Sequence, residues 1–123
     1  MKPIINLKNS WELSYDEFQK VLVFSKKDAT GDEERKVSYD LEPEVWNQLS
    51  VVRESGELRF YVNGQLIESP IQDESNYGTS DKLFIGKSDE AYFEGWVEQL
   101  KISKGLAKYL CDFTPRNLKK LSE

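Results

Sequence analysis

The sequence contains no histidine and only one cysteine, Cys111, in 123 residues. Without histidine, neither an imidazole-based catalytic triad nor a histidine-ligated zinc site can form. A single cysteine excludes an internal disulfide, and we expect Cys111 to pack as a small apolar side chain. No window is apolar enough for a membrane span or a signal-peptide core. These absences predict a soluble protein without a signal peptide and without a membrane partner.

Charge of one sign is not concentrated anywhere along the chain. The 17 Lys and Arg residues are dispersed among 22 Asp and Glu residues, and the net charge is -5. Because binding to a phosphate backbone needs a basic stripe, we expect no nucleic-acid partner. The hydrophobic share of 38% and the aromatic share of 12% are typical of a globular protein. The length predicts a single domain over residues 1–123.

Short runs of alternating apolar and polar residues predict antiparallel strands. The clearest runs form a three-strand meander at 49–53, 58–62 and 65–67. Residues 54–57 form its first turn. Asn63 and Gly64 form the second, because both tolerate the positive φ of a type I′ turn.

Other segments give weaker patterns. Strands are predicted at 20–25, 36–41 and 82–86, and loops at 29–33 and 69–80. Ser14 and Glu17 resemble a helix capping box, but the β-branched run that follows favours a strand. Thr114 and Pro115 fit the start of a short C-terminal helical turn.

Several motifs in a fixed order resemble one known family. They are Trp46-Asn-Gln-Leu-Ser-Val-Val-Arg53, Leu58-Arg-Phe-Tyr-Val-Asn-Gly-Gln65, and the segments 83–86, 92–104, 107–109 and 112–115. This order is similar to that of laminin G-like, concanavalin A-like domains. The resemblance implies an all-β, two-sheet antiparallel jelly-roll sandwich and a non-catalytic binding module. The last two segments look most like versions found in phage tail and virion proteins and in bacterial surface proteins. A phage-encoded chain would be virion-associated or cytoplasmic.

The resemblance is strong over 46–115 and weak over 1–45, so we expect a sandwich abbreviated at the N-terminus. A sheet that lacks strands presents an edge that must be protected. We therefore predict a homodimer, or docking onto a partner, at that edge.

Ten residues of these motifs are interpreted as structural. Trp46 is expected in the core as an aromatic anchor, and Tyr61 is expected to cover a neighbouring strand. The full set is Trp46, Tyr61, Asn63, Gly64, Gly86, Phe93, Gly95, Tyr109, Phe113 and Pro115.

A sugar site would need an exposed aromatic ring beside amide or carboxylate groups. Tyr77 with Asn76, and Tyr92, lie in predicted loops and are the candidates, and Trp96 joins them if it points outward. The alternative is a solvated loop tyrosine with no ligand.

Calcium is the one cofactor that the sequence leaves open, because it needs several hard oxygen ligands converging from a loop. One candidate set is Asp73, Glu74, Asn76 and Asp81. The other is Asp28, Asp32 and Glu33. Neither spacing fits a calcium-loop template, so solvated acidic loops are the alternative.

Three functions remain open, and none is enzymatic. Glycoside hydrolysis needs two carboxylates across one groove, and the Glu-x-Asp-x-x-Glu strand motif of the related enzymes is absent. The leading hypothesis is recognition of a carbohydrate or surface glycan. The first alternative is a protein-interaction or virion structural module that uses a sheet face or strand edge. The second is a small acidic phage-type inhibitor of a host protein.

Overall fold

The computed structural model describes residues 2–28, 31–42, 44–73, 82–87 and 93. These residues form strands and turns, arranged as one five-stranded and one three-stranded antiparallel sheet, and this confirms the all-β prediction. The strands are β1 (Lys2–Leu7), β2 (Trp11–Asp16), β3 (Val21–Asp28), β4 (Gly31–Ser38), β5 (Leu49–Glu54), β6 (Glu57–Val62), β7 (Gln65–Gln72) and β8 (Leu83–Ile85). They fall into two compact units, β1–β4 with β8 and β5–β7. The prediction of a single domain stays a prediction.

The larger sheet has the strand order β4-β3-β2-β1-β8. On one face, alternate residues of its central strands are apolar, and the Trp11 and Phe24 rings stack with centroids 5.4 Å apart. The buried apolar side chains of this face are Leu13, Tyr15, Leu22 and Val37. Burial of this stripe from three neighbouring strands explains why the sequence forms a sheet here.

The opposite face of the same sheet buries polar side chains next to the apolar Val23. Asn6 on β1, Glu12 on β2 and Ser25 on β3 stand in register across the strands. Both carboxyl oxygens of Glu12 are used, because Asn6 Nδ2 donates to one at 3.0 Å and Ser14 Oγ to the other at 2.7 Å. By contrast, the buried Ser25 Oγ has no hydrogen-bond partner. Glu12 therefore links β1 and β2 from inside the protein.

The smaller sheet is the meander read from the sequence, in the order β5-β6-β7. Its central strand β6 supplies most of the buried side chains, with Leu58, Phe60, Tyr61 and Val62 each at most 2% exposed. The hairpin turns have positive φ at Ser55 and Gly56 and at Asn63 and Gly64, as type I′ turns require. The predicted turns and strands of this sheet are confirmed.

Strand β7 is longer than predicted, and its last four residues fall in a segment expected to be a loop. The β6–β7 register shifts between Leu58 and Phe60, and Glu68 has a φ of 61°. Pro70 lies in this strand, which is at the edge of its sheet, where a missing N–H does not interrupt pairing. Turn-forming residues here belong to an irregular edge strand instead of a loop.

The first half of the chain also departs from prediction. Residues 31–33 were expected in a loop but begin β4, and the strand predicted at 36–41 ends at Ser38. The strand predicted at 20–25 is confirmed as part of β3, and Ser14 lies in β2 instead of a helix. Pairing with β3 holds the charged β4 in place, although its own sequence has little strand propensity.

No helix that is long and apolar enough to cross a membrane occurs in the described part of the chain.

Candidate functional site

Trp46 is exposed, and the prediction that it lies in the core is wrong. Its side chain is 49% exposed, and the neighbouring Val45 is 50% exposed. The tryptophan precedes β5, which begins only at Leu49, so the inward-facing alternation of that strand does not extend to it. The tryptophan therefore exposes apolar surface to solvent just before the first strand of the three-stranded sheet.

Amide groups surround the start of β5 and the β6–β7 turn. Asn63 N–H donates to Gln48 O at 2.7 Å, and Gln48 N–H donates back to Asn63 Oδ1 at 2.9 Å. Asn63 Nδ2 donates to Asn47 Oδ1 at 3.2 Å, and Asn47 Nδ2 donates to Val45 O at 3.3 Å. These bonds tie the residues on both sides of Trp46 to the turn. We call Trp46, Asn47, Gln48, Ser50 and Asn63 the Trp46 corner.

The type I′ turn fixes the Asn63 carboxamide in a defined position. Asn63 has a φ of 52° and Gly64 a φ of 84°, and the Asn63 side chain is exposed. A carboxamide has two N–H donors and an oxygen with two lone pairs. The bonds above use one donor and one lone pair of Asn63, so the group keeps hydrogen-bonding capacity toward a ligand. Because its orientation is already fixed, a ligand would lose little affinity to ordering it.

Gln48 holds the one unmet acceptor of this corner. Its Nε2 donates to Ser50 Oγ at 2.9 Å, while its Oε1 is buried and has no hydrogen-bond partner. An unmet buried acceptor destabilises a folded protein by about 1–3 kcal/mol, so such groups are uncommon and call for a physical reason.

The Trp46 corner combines a half-exposed tryptophan with neutral hydrogen-bonding groups. Pyranose rings have an apolar face of C–H groups and a rim of hydroxyls, and sites that bind them need both kinds of contact. The exposed Glu44 lies two residues before Trp46, so the chain next to the tryptophan carries a negative charge. This chemistry fits an uncharged polyhydroxyl ligand better than a polyanion.

The ligand residues predicted from the sequence cannot be compared with this corner. Tyr77, Asn76, Tyr92 and Trp96 all lie outside the described residues. The same holds for the motif residues Gly95, Tyr109, Phe113 and Pro115 and for the predicted C-terminal turn. These assignments stay predictions.

The calcium hypothesis stays a prediction. Asp73 is 1% exposed, and its backbone N–H donates to Gly56 O at 2.8 Å. Its proposed companions Glu74, Asn76 and Asp81 lie outside the described residues. In the second set, Asp28 ends β3, whereas Asp32 and Glu33 belong to β4. Over the described ranges, no group of three Asp, Glu, His or Cys side chains is placed to hold a metal.

Three other motif residues, Tyr61, Gly86 and Phe93, lie among the described residues. Tyr61 is 1% exposed and pairs across strands with Ser50 and Leu66. Gly86 has a φ of 76°, which glycine adopts more readily than other residues, and its N–H donates to Ile4 O at 2.7 Å. The half-buried Phe93 donates its N–H to Gly86 O at 2.8 Å.

Sequence reasoning missed the Trp46 corner, although one signal pointed to it. In a two-residue hairpin the register is fixed by the turn, so the residues preceding β5 lie opposite Asn63. The amides of Asn47 and Gln48 flank a tryptophan at that position. The family motif predicted instead that Trp46 is buried in the core.

The comparisons with known proteins identify the family. The family model described as the concanavalin A-like lectin/glucanases superfamily matches residues 2–107, a range that includes all the described strands and the Trp46 corner. No curated protein and no solved structure matches the chain. With most of its length matched by the model, the chain belongs to the concanavalin A-like lectin/glucanases superfamily.

Proposed function

We propose that this protein is a carbohydrate-binding module and that the Trp46 corner binds the sugar. Membership of the superfamily indicates a binding module in general. The observation that carries the finer proposal is the exposed indole of Trp46, with 49% of its surface in solvent, beside a fixed network of neutral amides. The indole would stack on the apolar face of a sugar ring, while Asn63 would bind its hydroxyls.

The inhibitor alternative receives less support from the described residues. An inhibitor that imitates a polyanion would gather its acids on one side. Instead, acids are interspersed with bases in the ion pairs Lys20–Asp40, Arg35–Glu33 and Lys36–Glu34. That the protein is not an enzyme stays a prediction, because the superfamily includes glucanases.

A broad glycan array, probed with and without calcium, tests the proposal. We expect the wild-type protein to bind at least one uncharged saccharide, and Trp46→Ala to weaken that binding at least about tenfold, since buried aromatic anchors dominate such contacts. Binding should persist in chelator, because no metal ligand takes part in the corner.

The matched control is Tyr77→Ala, which removes an aromatic ring from the loop site predicted from the sequence. Thermal unfolding of both variants checks that they are folded. If Tyr77→Ala abolishes binding and Trp46→Ala does not, the sugar binds at the loop site and the assignment to the Trp46 corner is wrong. A blank array under both conditions contradicts carbohydrate binding.

A further inference from the structure

The second turn of the smaller sheet contains an asparagine followed by a glycine, Asn63 and Gly64. An asparagine carboxamide can react with the backbone nitrogen of the next residue, which is one reason why asparagine is thermolabile. Glycine has no side chain to hinder that attack. Because Asn63 is exposed, its side chain is in contact with water. This pair of residues therefore has the covalent structure of a deamidation site.

Deamidation at this pair needs water as its only co-reactant. The Gly64 nitrogen loses its proton and bonds to Asn63 Cγ, the bond from Cγ to Nδ2 breaks, and ammonia leaves, which closes a succinimide ring. Water then opens the ring at either carbonyl and gives aspartate or isoaspartate. Both products have a carboxylate in place of the neutral carboxamide, and isoaspartate also lengthens the backbone of the turn by the Cβ atom.

Hydrogen bonds hold the Asn63 carboxamide in place in the folded protein. Its Oδ1 accepts the N–H of Gln48 at 2.9 Å, and its Nδ2 donates to Asn47 Oδ1 at 3.2 Å. The Asn63 backbone N–H donates to Gln48 O at 2.7 Å, which keeps the turn beside the same residues. Ring closure moves the carboxamide onto the Gly64 nitrogen, so both side-chain bonds must break first.

Burial protects the other reacting group. Gly64 is buried, although Asn63 beside it is exposed, and its φ of 84° is the left-handed conformation of the turn. The Gly64 nitrogen must lose its proton to become a nucleophile, and a buried N–H is shielded from the water or hydroxide that takes the proton. The two groups can therefore react only when the turn opens locally.

We propose that Asn63 is a latent deamidation site, which reacts with Gly64 only in molecules whose β6–β7 turn has opened away from Asn47 and Gln48. Modification then converts the neutral carboxamide of the Trp46 corner into a carboxylate. The reaction involves only atoms of the turn and does not depend on sugar binding at the corner.

Peptide mapping by mass spectrometry during incubation at mildly alkaline pH measures the reaction, because deamidation replaces an amino group by a hydroxyl group at one identified asparagine. We expect Asn63 in the folded wild-type protein to react at least about tenfold more slowly than in the same chain unfolded in guanidinium chloride. Asn47→Ala removes the acceptor of Asn63 Nδ2 and should raise the rate in the folded protein at least about threefold. Circular dichroism checks that this variant is folded.

Two controls separate local opening of the turn from other causes. Asn9, an exposed asparagine in the turn between β1 and β2, should react at the same rate in both folded proteins. Glu12→Ala, which removes a buried hydrogen-bond acceptor from the five-stranded sheet, should leave the rate at Asn63 unchanged. Equal rates at Asn63 in folded and unfolded wild-type protein overturn the proposal. It is also overturned if Asn47→Ala reacts no faster than the wild type or no faster than Glu12→Ala.

Discussion

At the scale of single residues, two buried polar side chains on one face of the five-stranded sheet differ in their hydrogen bonding. Glu12 accepts hydrogen bonds from Asn6 and Ser14, whereas the Ser25 hydroxyl, opposite Glu12 on β3, has no partner. Removing a buried acceptor leaves its hydrogen-bond donors unpaired and so lowers the free energy of unfolding. Removing a buried group that makes no hydrogen bond has no such effect. The two residues therefore provide a matched test of whether this interior is arranged as described.

We expect Glu12→Ala to lower the free energy of unfolding by about 2–4 kcal/mol, because it leaves the Asn6 amide and the Ser14 hydroxyl buried without an acceptor. Ser25→Ala should change it by less than about 0.5 kcal/mol, or raise it, because an unpaired hydroxyl is removed. Urea unfolding of both variants measures the difference. Equal losses in the two variants would show that Glu12 has no special role.

The Trp46 corner shows how far residue-level prediction reaches. The positive φ of Asn63 and Gly64 follows from local turn chemistry, so the sequence was sufficient to predict it. The exposure of Trp46 depends on where β5 begins, and a tryptophan just before a strand is equally compatible with a packed or an exposed ring. Local sequence does not decide between the two.

At the scale of strands and turns, prediction succeeded where alternating apolar residues and turn-forming residues both indicate the same hairpin. The meander β5–β7 has apolar alternation and glycine turns in agreement. In contrast, β4 has five consecutive charged residues, from Asp32 to Lys36, and forms through its pairing with β3. Strands β1 and β2 were not predicted, although Trp11, Leu13 and Tyr15 alternate with polar residues. The family motifs begin only at Trp46, and Ser14 with Glu17 resembles a helix capping box.

The two type I′ turns of the smaller sheet differ in one of their two central residues. Asn63 occupies the first central position of the second turn, where asparagine is favoured, but the first turn has Ser55 there with a φ of 52°. We expect Ser55→Asn to raise the free energy of unfolding by about 0.5–1 kcal/mol, because asparagine tolerates the left-handed region better than serine does. Thermal and urea unfolding give the measurement.

The reverse change in the second turn, Asn63→Ser, should destabilise the protein by a larger amount, about 1–3 kcal/mol, because it also removes the hydrogen bonds of the carboxamide with Gln48 and Asn47. It should also weaken saccharide binding, whereas Ser55→Asn should not. A loss of stability in Ser55→Asn would contradict the assignment of the first turn as type I′.

At the scale of the whole molecule, the superfamily was predictable because several motifs occur in the expected order along the chain. The family model supports that reading and extends over the first 45 residues, where the resemblance was weak. The ligand was not predictable, because one fold serves many functions and the site depends on which side chains reach solvent. Exposure of Trp46 is a property of the folded chain, and the sugar hypothesis now depends on it.

The most direct measurement is a nuclear magnetic resonance titration of the isotope-labelled protein with the strongest saccharide from the array. If the Trp46 corner is the site, the indole N–H of Trp46 and the side-chain amides of Asn47 and Asn63 shift together and saturate at one concentration. If those signals stay unchanged while the Asn76 amide or the Trp96 indole shifts, the sugar binds elsewhere and the central claim is contradicted.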